Sequence, residues 1–253
     1  MKVFTCEDDF EAILSCIYDA WVESAKVGYA NVQVIREKHV QPNLFDTYVN
    51  SVPSEEKAKK VVHAIETKIS DTAYIWCYRA AMSDMPDAPD AIFRFLILGF
   101  RVGPKLTQML THDAVLRMME INRRVGNESH YFREFARFTC VENVYICHLE
   151  PKSNVIQYVT THFADRMPSE NFIIIDDTRK LAGIHPKDEE PYYRNLTDEE
   201  FERFSSTETY EDSFTSMWQT FFDSIAIKQR INPACQRNHF PMWMRKHATE
   251  FQK

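Results

Sequence analysis

Near its middle the sequence changes period, and few architectures accommodate that change. From Phe10 to Val125 apolar residues recur at the three- and four-residue spacing of helices with one buried face. From Asn127 onward, short runs rich in aromatic and β-branched residues alternate in polarity, as strands do. The chain is therefore expected to be α+β, with a helical N-terminal half (1–126) packed on a C-terminal half (127–253), or with both in one continuous globular unit. The C-terminal half is expected to hold a small, mainly antiparallel sheet around a β-β-α-β core, flanked by helices. A length of 253 residues with 44% hydrophobic content suffices for a sizeable core on either reading.

The helical half can be followed from cap to cap. Lys2 to Thr5 reads as a short strand. Asp8 and Glu11 form a capping-box pattern ahead of Phe10, Ile13, Leu14, Ile17, Tyr18 and Trp21, and Gly28 is placed to end that helix. Ser54, Asp71 and Asp90 open further candidates, and Gln108 to Val125 reads as one more, closed by Gly126. In the second half HYFREFARFT and NVYICHLE read as strands, Val155 to Arg166 as a helix stopped by Pro168, and Asn171 to Asp177 as a buried strand ending in two acids. An acidic, turn-rich stretch to about Ser206 follows, then helices around Phe214 to Ile227 and near the C-terminus.

Composition removes several classes of function. With five glycines and no GxGxxG, GxxxxGK[ST] or GxSxG, the chain lacks the loops of nucleotide hydrolases, Rossmann dehydrogenases and α/β-hydrolases. The six cysteines (Cys6, Cys16, Cys77, Cys140, Cys147 and Cys235) contain no CxxC, so free thiols in apolar surroundings are expected rather than disulfides or an iron–sulfur cluster. No apolar run approaches the roughly 18 residues of a spanning helix, and acids interrupt the N-terminus where a signal peptide has its apolar core, so a cytoplasmic protein without membrane association is expected. The formal charge is −7. Ten acids between Gly183 and Asp212, among them Glu208, Glu211 and Asp212, against Lys187, Arg194 and Arg203 supply all of it, whereas Lys228 to Thr249 carries Lys228, Arg230, Arg237, Arg245 and Lys246 with no acid. Either the two segments pair, or the basic one offers phosphate a local face in an acidic molecule.

Three groupings can carry chemistry. Read as a helix, THFADRM brings His162, Asp165 and Arg166 together, either to meet a phosphate or base or as an ion-paired helix end. Read as a strand, HYFREFARF puts Arg133 and Arg137 on one face with Tyr131 and Phe135, the arrangement by which sheets hold single-stranded nucleic acid; alternatively, the arginines pair with Asp176 or Asp177. Adjacent aspartates on a strand point to opposite faces, so only one of Asp176 and Asp177 can enter a given pocket; Arg179 follows directly. His130, His148, His162 and an aspartate show no HExxH or similar spacing, and neither a metal nor another cofactor is expected.

HYFREFARF, HFADRMP, IIDDTR, SMWQTFFDSIAIKQRINPACQ and RKHATEF in the second half, with FEAILSCIYDAW and IFRFLILGFRVG in the first, resemble a bacterial family of uncharacterised proteins described as probable DNA metabolism or DNA repair proteins. That family's domain also occurs fused to uracil-DNA glycosylases, and its members are commonly encoded beside a radical-SAM protein. The resemblance implies a DNA-repair component whose partner carries the iron–sulfur chemistry. Its motif positions fall here on Glu128, His130, Arg137, Phe138, His162, Phe163, Ala164, Arg166, Pro168, Asp176, Arg179, Arg230 and Asn232. Where the family tends to have a basic pair, this chain has Pro241-Met242-Trp243-Met244-Arg245, a departure that bears on whether this segment grips nucleic acid.

Residues and resemblance together give three expectations. The first is binding of DNA or a damaged nucleotide through His130, Arg133, Arg137, Arg166, Arg179 and Arg230, in the service of a radical-SAM partner. The second is a hydrolase of nucleic acid or nucleotide, with His162 as acid or base and Asp176 as orienting group or base. The third is a protein-binding adaptor with no nucleic-acid contact.

Overall fold

The computed structural model describes residues 1–205 and 213–251; Glu208, Glu211 and Asp212 of the acidic run lie outside them. The chain is α+β. It forms two compact units, Met1–Gly126 and Asn127–Lys253. No helix among the described residues is long and apolar enough to cross a membrane.

The first unit contains more sheet than its helical periodicity suggests. Strands β1 (Lys2–Cys6), β2 (Val32–Arg36) and β3 (Thr47–Asn50) pair in parallel in the order β2-β1-β3. Helix α1 (Phe10–Val27) makes the β1-to-β2 crossover. Its cap is Asp9 rather than Asp8, accepting the Ala12 N–H at 3.0 Å, while Asp8 ion-pairs with Arg36 at 2.5 Å. Gly28, at φ 87°, occupies the left-handed region that ends a helix. Arg36 is fully buried at the end of β2, and its guanidinium also donates to the carbonyls of Ala81 (2.7 Å) and Met85 (3.0 Å). Helices α2 (Glu55–Lys68), α3 (Asp71–Ala81) and α4 (Ala88–Val102) bury Ile65, Cys77, Ile92, Phe93, Phe95 and Leu96 against this sheet and α1. Ser54 and Ser70 cap α2 and α3, and α4 begins before Asp90, which sits in its first turn and accepts the Val34 N–H at 3.1 Å.

Helix α5 (Asp113–Phe135) corrects the expected start of the second half. Gly126 does not close it, and HYFREF belongs to it rather than to a strand. Burial decides the matter: Glu128, Phe132 and Phe135 recur at i, i+4 and i+7, Phe132 is buried, and Phe135 stacks on Phe240 with centroids 3.9 Å apart. The local β-propensity of the aromatic run is overridden by that stripe. Arg133 and Arg137 therefore share no strand face.

In the second unit β4 (Thr139–Val141), β5 (Val144–Leu149), β6 (Phe172–Asp176), β7 (Leu181–His185) and β8 (Tyr192–Asn195) stand in sequential order. All neighbours are antiparallel except β5 and β6, which α6 (Ile156–Arg166) joins by a crossover. One sheet face carries Phe172 and Ile174 towards α6. There a Cβ on Gly183 would stand 2.2 Å from Thr160 Oγ1, so only glycine admits the helix so close. The other face carries Ile146, Ile173, Ile175, Ala182 and Ile184 and packs against Phe201 and Phe204 of α7 (Asp198–Ser205). Strands β7 and β8 and helix α7 arise from the stretch read as acidic and turn-rich. Helices α8 (Ser213–Ile225) and α9 (Pro233–His239) follow, and 3₁₀ turns lie at Met242–Met244 and Thr249–Phe251.

Candidate functional site

Sheet parity at the carboxyl ends of the parallel pair determines which acids face which way. His148 of β5 is in register with Ile175 of β6, and Leu149 with Asp176. Asp176 thus points to the face that holds α6, and the next residues of both strands, Glu150 and Asp177, to the opposite one with His148. On its own face Asp176 is fully buried. It accepts from the Arg179 guanidinium at 2.9 Å and the Arg179 backbone N–H at 3.1 Å. Arg179 also donates to the carbonyls of Pro151 (3.1 Å) and Lys152. Burial pushes the Asp176 carboxyl above its ordinary value against the pull of Arg179. The pair is a staple holding the β5–α6 loop to the turn after β6.

Asp177 faces two histidines. Its Oδ1 lies 2.8 Å from His148 Nδ1, a donation from the ring since a carboxylate only accepts, and its Oδ2 lies 3.5 Å from Nε2 of His247, whose ring stacks over that of His148. Glu150 completes the group: one donor atom from each of Glu150, Asp177 and His247 lies within 4.8 Å of the others. Lys246 makes an ion pair with Glu150. His148 is buried, and Glu150, Asp177 and His247 are half-buried. Beside them Glu250, also buried, takes both arms of the Arg137 guanidinium at 2.6 and 3.1 Å and the Trp218 indole N–H at 3.2 Å, with Arg137 also 5.3 Å above the Trp218 ring. Burial drives the Glu250 carboxyl up, but these bonds hold it net below its ordinary value. Cys147, one residue before His148, is fully buried and its thiol is pushed up to about 12.

A second grouping is basic. His162, half-buried on α6 against Phe163, lies close enough to Arg133 on α5 and Arg166 at the end of α6 to respond to both charges. Burial first, then the two guanidiniums, hold its imidazole below the ordinary histidine value, with Asp165 opposing. Arg166 is exposed; Arg133 is half-buried and donates to the Ser129 carbonyl at 3.3 Å.

The residues singled out from sequence are thus distributed over several places. Arg133, His162 and Arg166 converge. His130 is exposed on α5 and pairs with Glu134 at 3.0 Å; Arg137 and Arg179 are committed to Glu250 and Asp176; Arg230 is exposed in the 3₁₀ turn Lys228–Arg230. No hydrogen bond or ion pair among the described residues joins His162 to Asp176. Helix α6 returns the chain from the carboxyl end of β5 towards the amino end of β6, which separates His162 from the acids. Arg245 turns inward, donating to the Phe240 carbonyl at 2.8 Å and lying 4.6 Å from the Phe251 ring centre. Four of the six cysteines are buried as expected, whereas Cys235 is exposed, and no disulfide joins them.

Sequence reasoning did not join Asp177, His148 and Glu150 as a set, and gave His247, within RKHATEF, no role. The signal for the first three was present: His148 and Glu150 are two apart at the end of one apolar strand, and Asp177 sits one past the end of the next. His247 stands in the motif RKHATEF, but about 70 residues separate it from Asp177, so no local pattern joins the two.

A five-stranded mixed sheet, with its one parallel pair ending in a histidine–carboxylate cluster, defines an α+β domain with a polar site at strand carboxyl ends. The chain belongs to the DUF4130 family, a domain of unknown function, whose model matches residues 86–250. That span contains both groupings described above, which directs attention to them rather than to the cleft in the first unit lined by Tyr18, Trp21, Lys60 and Lys68. No curated protein matches the chain.

Proposed function

We propose that this protein is a DNA-metabolism component that binds the phosphates of DNA or of a nucleotide through Arg133, His162 and Arg166. The observation that carries the reading is the grouping of half-buried His162 with Arg133 and Arg166, whose charges add to burial in holding the imidazole below its ordinary value. An arrangement that disfavours a third positive charge is relieved by an anion, and a phosphate is the anion that planar guanidiniums accept in pairs. The family resemblance supplies the DNA context. It also assigns the iron–sulfur chemistry to a separate radical-SAM partner, a reading supported by the spacing of the six cysteines, which contain no CxxC.

The test is a titration with single-stranded, duplex and uracil- or photoproduct-containing oligonucleotides at two salt concentrations. Binding is expected to weaken as salt rises, and replacing Arg133 and Arg166 together with Ala should lower affinity by about tenfold or more and flatten the salt dependence by about one to two charges. Bound DNA should also raise the His162 pKa towards or above its ordinary value, read by NMR. Affinity unchanged in the double variant removes the proposal.

A second reading, a protein-docking adaptor, is favoured by α8. Phe214, Met217, Phe221 and Ile225 form an exposed apolar stripe there, while Trp218 turns to Glu250 and Phe222 to Phe251. Failure of every oligonucleotide to bind, with co-purification of a partner that survives high salt, would favour that reading.

A further inference from the structure

We infer that Glu150, Asp177 and His247 form a binding site for one divalent transition-metal ion, of the zinc class, with His148 as the residue that positions Asp177. Three protein donors from three separate segments converge: the residue after β5, the residue after β6, and the stretch between the two C-terminal 3₁₀ turns. Their donor atoms lie within 4.8 Å of one another. Ligands about 2.0–2.2 Å from a common ion stand roughly 3–3.6 Å apart, so closure requires shifts of about an ångström. The flexible Glu150 side chain can supply them without backbone movement.

The donor set selects the ion. Two carboxylate oxygens alone suit magnesium or calcium as well as anything else; an imidazole nitrogen beside them favours zinc, cobalt, iron(II) or manganese. Three protein ligands leave at least one coordination position for water or substrate, the pattern of reactive rather than purely structural sites. His148 supplies what bare ligand clusters lack: a buried ring donating at 2.8 Å to the oxygen of Asp177 that faces away from His247 fixes the orientation of the other oxygen.

The charges around the site agree. Asp176 faces the other side of the sheet and is matched by Arg179, and Glu250 is matched by Arg137, so neither arginine opposes a cation at this site. Lys246, on Glu150, holds one ligand carboxylate and is the group an incoming ion displaces. The site lies on the sheet face opposite α6, so this inference is independent of the phosphate-binding reading.

The experiment is a calorimetric titration of the full chain, stripped with chelator, with Zn²⁺, and with Co²⁺ as an absorbing probe of coordination. One ion per chain is expected. His247→Ala and Asp177→Asn should each weaken binding by about 100-fold and His148→Ala by about tenfold, while His130→Ala, at an exposed histidine–glutamate pair, should leave it unchanged. Lys246→Met should tighten binding several-fold, because the ion no longer competes with an ammonium for Glu150. Circular dichroism checks the fold of each variant, and Lys246→Met gives a readout that loss of structure cannot mimic. Equal affinity and stoichiometry in wild type, His247→Ala and Asp177→Asn overturns the inference, as does loss of binding in His130→Ala alone.

Discussion

The two units use burial differently. The first fills its core with aliphatic and aromatic side chains from α1 to α4, and its one fully buried charge, Arg36, is bound by backbone carbonyls and Asp8. The second buries Glu128, His148, Asp176, His185 and Glu250 in about the same length of chain. Each is given a specific partner: Glu128, for instance, accepts the backbone N–H groups of Lys152 (2.6 Å) and Ser153 (3.1 Å), securing the loop into α6. Apolar burial tolerates approximate shape, whereas a buried carboxylate tolerates only a donor in place. The first unit is built to be stable, and the second holds groups in fixed positions.

That contrast can be broken at its strongest point first. Phe95 is fully buried and stacks on Trp76, and Phe95→Ala should cost about 3–5 kcal/mol at any pH in which the protein folds, measured by urea denaturation. Glu250→Gln should cost about 1–3 kcal/mol at neutral pH, and its cost should depend on pH. The Glu250 carboxyl is held below its ordinary value of 4.5, so its contribution is complete above that value and is lost as pH falls through the lower folded value. Wild type and variant should therefore converge in acid, and a pH-independent gap would show that the residue acts by shape alone. The smallest effect has the opposite sign. A Cβ at Gly126 would meet no atom within 4 Å, and Gly126→Ala in the interior of α5 should stabilise by about 0.5–1 kcal/mol in the same assay.

Helical periodicity and capping residues made α1 to α4 legible, even though α1 and α4 bury more than one face, and the apolar run of β6 was read from its composition. The three-stranded parallel sheet was not, since β2 and β3 are five and four residues long and pair only with β1, a contact that no local pattern encodes. The aromatic run of α5 was misread because its residues suit a strand as well as a helix, and the distant partner Phe240 decides between them. Within the site, Asp176 and Asp177 face opposite ways, as strand parity requires, but parity alone does not say which side His247 joins. His247 is brought there by the fold of the last residues.

The Asp176-Asp177 doublet has a consequence for how this protein can misfold and how its sequence can drift. One aspartate serves Arg179 and the other the histidines, so a one-residue slip of β6 against β5 puts Ile175 or Asp177 in the buried place that Asp176 fills on one face, and Asp176 or Thr178 where Asp177 meets the histidines on the other. Both faults arise from a single error, and neither relieves the other. The doublet therefore acts as a register key. Single insertions or deletions between Phe172 and Arg179 should be tolerated far less than substitutions at the same places, because they disable the staple and the cluster in one step.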